Sequence, residues 1–181
     1  MIHTLLFAVR SVVDNPSTLS LSSKTKKDEA SHPSQEIAPP KSVRAFTSSC
    51  FPNLACETFV LFVARNTCSD VHHIVVAFAL MERYAANLRG SSFPEFLFTP
   101  MNFHRYFAVA ILMALKSMED VPMPNKMYAA ACGMNLAELN VLEILFLEEL
   151  HWRMLVGPEE CRNFLCRCGA DSVSVFGQTP C

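Results

Sequence analysis

Residues 107–115 of this chain read FAVAILMAL, an unbroken uncharged run that ends on Lys116. The run lies inside a helix expected over 100–118, opened by Thr99 as cap and Pro100 in the first turn. Over 106–115 such a helix is apolar nearly all round and has no face to offer to water. It belongs at the centre of a bundle, with other helices around it. It is too short to cross a membrane, which takes roughly 18 uninterrupted apolar residues. The expected fold class is therefore all-α, with this central apolar helix third in the order.

The rest of the sequence supplies its neighbours. Helices are expected at 54–65, 70–88, 125–132, 135–150 and 158–169, and no strand alternation competes with them. Ser69 or Asp70 caps the second helix and Gly90 follows its end. VPMPN at 121–125 breaks the chain, and Gly133 stops the fourth helix. Asn135, with Glu138 three residues on, is an Asn variant of the capping box at the start of the fifth. Short connections imply compact antiparallel packing. Ahead of the helices, 14–45 is rich in Ser, Pro, Lys and Glu and shows no apolar period. Residues 1–49 are thus read as a disordered leader, 50–168 as one helical domain and 169–181 as a loose tail. A basic n-region and a clear cleavage site are missing from the start, so a signal peptide is not expected.

The 181 residues suffice for one domain with a core, and the net charge of −2 argues against a general nucleic-acid surface. Neither nucleic acid nor membrane is an expected partner. Several of the eight cysteines fall in apolar helical runs. They read as reduced thiols of a nuclear or cytosolic protein, behaving as small hydrophobes rather than as a disulfide framework. Cys161, Cys166 and Cys168, with His151 or Cys181, form a C-x4-C-x-C pattern unlike the usual zinc sets. His72 and His73 are adjacent, point to different helix faces and are expected in exposed or rim positions. No Ser-His-Asp set, glycine-rich phosphate loop or paired carboxylates stand out. The chain is expected to be no enzyme and to need no metal or cofactor. Thr179-Pro180 fits a proline-directed phosphorylation site, and Thr99-Pro100 fits its capping role better.

Two charges stand out against this apolar background. On a wheel of about 100° per residue, Leu136, Leu139, Phe146, Leu147 and Leu150 share one face of the fifth helix. Glu143 falls in the middle of that face, while Glu138 and Glu149 lie together away from it, as solvated charges should. An isolated buried carboxylate is costly, and a cation removes most of the difficulty. Lys116 is the best candidate, because it too ends an apolar helix. If the third and fifth helices are neighbours, Lys116 and Glu143 meet at the rim of the core. Two plainer readings stand beside this one. A lysine near a helix C-terminus is favoured by the dipole and can snorkel outward, and an ion pair can be purely structural.

The pieces at 75–85 (VVAFALMERYA), 102–120 (NFHRYFAVAILMALKSMED) and 133–160 (GMNLAELNVLEILFLEELHWRMLVGPEE) carry a family resemblance. From 51 to 164 the chain resembles a cyclin box, of the single-box phosphate-signalling type that includes plant U/P-type cyclins. Met81-Glu82-Arg83, His104-Arg105, Ala114-Leu115-Lys116 and 133–143 stand at the family's motif positions. The family usually has Asp where Glu82 stands, and a large apolar residue where Ser117 stands. Glu82 is expected to hold Arg83 or a neighbouring backbone. The resemblance implies a cyclin-box helical bundle that binds and activates a cyclin-dependent protein kinase through its third and fifth helices. It implies that Lys116 and Glu143 are the charged pair of the kinase-facing surface, with Met113 and Leu147 on the same surface. Trp152 and Met154 match apolar contact positions, and Glu119 an acidic position that meets basic kinase residues. The alternative is a degenerate cyclin-fold adaptor that binds other proteins and activates no kinase.

Overall fold

The structure, a computed structural model, describes residues 39–49, 53–91, 93 and 96–167. Among the described residues it is all-α, with seven helices and no strand. They are α1 (Lys41–Phe46), α2 (Cys56–Asn66), α3 (Val71–Ser91), α4 (Pro100–Met118), α5 (Asn125–Cys132), α6 (Leu136–Glu149) and α7 (Pro158–Arg167). The expected third helix is α4 and the expected fifth is α6. No single described helix is long and apolar enough to cross a membrane.

α4 is the axis of the bundle. Its residues 106–115 are all buried, and α1, α2, α3 and α6 pack directly on it. α7 lies against α3, and α5 spans α2 and α6. Each fully buried Leu, Ile, Phe or Met contributes about 1.5–3 kcal/mol of transfer free energy, so a helix with no wet face is strongly held in the middle. Tyr128 of α5 adds a directional link, its hydroxyl donating to the Ala108 carbonyl of α4 at 2.9 Å.

The helix ends follow local chemistry. The Thr99 N–H donates to Asn102 Oδ1 at 2.8 Å, and Thr99 and Asn102 cap one another. At α3 the cap is Asp70, whose Oδ1 accepts from the N–H groups of His72 (2.9 Å) and His73 (3.1 Å). Gly133 ends α5 at φ 69°, a left-handed turn that a Cβ would strain. Asn135 Oδ1 accepts from Ala137 N–H at 2.8 Å, but Glu138 reaches Arg105 at 2.7 Å, so only the Asn half of the expected capping box forms.

Two boundaries differ from expectation. α3 runs through Gly90 to Ser91, since one glycine near a helix end costs only about 1 kcal/mol. The Ser91 hydroxyl also bonds the Asn87 carbonyl at 2.6 Å. Residues 39–49 belong to the expected leader, yet 41–46 form α1 with Val43 and Phe46 buried. Phe46 stacks on Tyr106 at 4.0 Å and meets the edge of Tyr84 at 5.9 Å. The earlier leader, the tail at 169–181, Cys168, Cys181 and Thr179-Pro180 lie outside the described residues.

Candidate partner-binding site

Lys116 sits in the last turn of α4, where a cation complements the free carbonyls, and Glu143 halfway along α6. Their Nζ and Oε1 are 2.6 Å apart. The second carboxylate oxygen of Glu143 accepts from Asn125 Nδ2 at 2.6 Å, and the same amide donates to Asn140 Oδ1 at 2.8 Å. Three helices, α4, α5 and α6, thus converge on one polar knot at the edge of the core. The side chains keep 31% (Lys116) and 13% (Glu143) of their exposure, so the pair is half-dry and still reachable. Both oxygens of the misplaced carboxylate are satisfied, which is what its position in an apolar face requires.

The other expected site residues scatter by depth. Met113 is 2% exposed and Leu147 9%, so both lie in the core of the bundle. This corrects the placement of both on the outer surface. They share a stripe with Lys116 and Glu143, but α4 is covered on all sides until its last turn, and neighbouring helices decide how deep a stripe lies. The large apolar side chains that face outward on α6 are Leu136 in its first turn, Val141 and Ile144, the last directly after Glu143. Glu119, the C-cap of α4, is exposed, with Oε1 2.9 Å from His73 Nε2. His73 is buried between Glu119 and Asp70, not at an exposed or rim position, because the first turn of α3 packs beside the end of α4. Burial raises the Asp70 pKa, but the His73 backbone N–H and the two histidine rings outweigh it and leave it lowered.

Past α6, Trp152 is 65% exposed, while Met154 packs against the core. Arg83 forks onto Glu160 (Nε–Oε1 3.2 Å, Nη2–Oε2 2.5 Å), whereas Glu82 pairs with Arg167. The expectation that Glu82 holds Arg83 is thus corrected: each takes a partner from α7, which lies across α3. Glu149 is half-buried rather than solvated, and burial raises its pKa, though His151 opposes.

Sequence reasoning missed Asn125, Val141, Ile144 and the Arg83–Glu160 fork. An exposed apolar residue on a helix has no local signature, and Arg83 and Glu160 are 77 positions apart. Between α3, the end of α4 and the start of α7, an apolar cleft of ≈ 200 Å³ is walled by Val75, Val76, Met118 and Val156, among others. A fixed ion pair, exposed Ile144 and Trp152, and an apolar cleft suit recognition of another protein.

Comparison with known proteins follows the same line. The cyclin family's sequence profile matches residues 2–154. Cyclin-U2-1 of Arabidopsis thaliana is 25% identical over 134 residues, 74% of this chain and 58% of that protein. Cyclin-P2-1 of Oryza sativa subsp. japonica is 29% identical over 154 residues, 85% of this chain and 67% of that protein. The PHO85 cyclin PHO80 of Saccharomyces cerevisiae is 29% identical over 115 residues, 64% of this chain and 37% of that protein. Apart from the rice protein, this chain spans little more than half of these relatives, or less.

Proposed function

Since the chain belongs to the cyclin family, of the U/P type, we propose that it is a regulatory subunit that binds and activates a cyclin-dependent protein kinase. The observation that carries the reading is the half-dry Lys116–Glu143 pair at the open end of α4, flanked by outward-facing Ile144. One relative is named as the cyclin of PHO85, in keeping with such a role.

A protein kinase is active only when its strand lysine pairs with the glutamate of its regulatory helix. A subunit that binds only the inward position of that helix shifts the population toward the active form without doing chemistry itself. On this surface Ile144 and Trp152 supply apolar contact, and the lysine and the glutamate fix orientation. Glu119 keeps half its exposure and faces basic residues of the kinase.

Lys116→Ala and Glu143→Ala are expected to lose kinase binding sharply while the bundle stays folded. Pull-down and phosphotransfer assays with a panel of purified cyclin-dependent kinases read both effects. Full binding by both variants would sink the assignment of the surface. Binding of wild-type protein without any gain in phosphotransfer would instead make the chain an adaptor on the cyclin fold.

A further inference from the structure

Trp152 is the only tryptophan in the chain, and it stands on the outside. Its φ is 59°, and that of His151 before it is 50°. Two successive non-glycine residues in the left-handed region persist only where their surroundings over-determine them.

Part of that determination is local. The N–H groups of His151, Trp152 and Arg153 bond back to the carbonyls of Glu148 (3.0 Å), Leu147 (2.9 Å) and Leu150 (3.0 Å), making a hook at the end of α6. The rest comes from α3. Asn87 Nδ2 donates to the Glu149 carbonyl at 2.7 Å. One turn earlier, Arg83 donates to the carbonyls of Arg153 and Leu155, the latter at 3.1 Å, while forking onto Glu160. Beyond the hook the side chains divide. Met154 and Val156 pack on the core, while Trp152 and Leu155 face out, Leu155 at 84% exposure. A largely buried guanidinium is thus committed to a segment whose two outward apolar side chains, Trp152 and Leu155, stay mostly exposed.

We propose that Arg83, seconded by Asn87, is a positioning residue that sets this hook so that Trp152 and Leu155 form a second contact point for the partner protein. Taking that partner to be the kinase rests on the function proposed above. The positioning itself does not. An exposed tryptophan held in one orientation loses little freedom on binding, which suits it to be an anchor. Lysine cannot do the same work, because an ammonium is a point charge without the planar fork that serves a carboxylate and two carbonyls together.

The single tryptophan makes the hook its own reporter. In Arg83→Ala and Arg83→Lys, nanosecond fluorescence anisotropy of Trp152 in the full chain is expected to drop, with helix content and cooperative unfolding kept. Kinase affinity is expected to fall about tenfold or more in Arg83→Ala and in Trp152→Ala. The double variant is expected to fall no further than the worse single, because both remove one contact. If the Arg83 variants do not fold, Asn87→Ala carries the anisotropy measurement with the same expected direction. Unchanged Trp152 anisotropy in the variants that fold, or losses that add in the double variant, would overturn the proposal. Should wild-type protein bind no kinase, the function proposed above fails, and the anisotropy still decides the role of Arg83.

Discussion

Glu143 lies among leucines and phenylalanines and still has both oxygens taken, by Lys116 and by Asn125. Breaking a fully buried pair at one partner costs about 3–5 kcal/mol, and an exposed pair is worth about 0–1 kcal/mol. The half-dry pair falls between, so Lys116→Ala should cost about 1–3 kcal/mol by chemical denaturation and leave a folded bundle. A loss near zero would mean that the lysine snorkels in solution. This pairing was legible in the sequence because a carboxylate inside an apolar face demands a cation, and one apolar helix ended on one. Met113 and Leu147 were misjudged because position on a stripe says nothing of depth. His104 gives a second test. Its Nε2–H donates to the Leu54 carbonyl at 2.9 Å, and burial lowers its pKa below 6.5 although backbone contacts oppose. Between the folded-state pKa and about 6.5 the unfolded chain binds more protons. The stability from neutral His104 is therefore complete above about pH 6.5 and is lost as pH falls through the folded-state pKa. His104→Gln should flatten that part of the stability–pH curve, and an unchanged slope would assign it to other groups.

α1 shows what a helix of six residues can rest on. Helices this short do not hold by propensity, since nucleation outweighs the few bonds formed. α1 is held by Phe46, which fits among Tyr84, Tyr106 and Phe146 and has no exposed surface. Phe46→Ala should cost about 3–5 kcal/mol, read as a shifted denaturation midpoint, because the rings around it cannot close the gap. A cost under about 1 kcal/mol would mean that α1 contributes nothing to the fold. Composition hid this element: two apolar residues three apart make no period, and their partners are 38 to 100 positions away. The long helices were readable for the opposite reason. Their apolar periods, caps and breakers are all local, so α4, α5 and α6 fall within a residue of the expected bounds. The hook after α6 lay between these cases. Its tryptophan was visible in the sequence, but the α3 side chains that orient it were not.

An apolar helix wrapped by four others makes a molecule whose stability is graded from the inside out. Residues 107–115 of α4 have no route to water while α2, α3 and α6 stay packed on it. Their amides should exchange hydrogen only through opening of the whole bundle, at the global unfolding free energy. α1 is different: two buried side chains hold it, it is six residues long, and it can lift off while α2, α3, α4 and α6 stay packed. Its amides should exchange faster than those of α4 under native conditions. With added denaturant the α4 rates should rise steeply and those of α1 less so, because lifting α1 exposes only a part of the surface that opening the whole bundle does. Hydrogen exchange followed by mass spectrometry, with denaturant stepped below the midpoint, separates the two. If α1 and α4 exchange with one rate and one denaturant slope, the two helices unfold as a single unit, and the inside-out gradient is wrong.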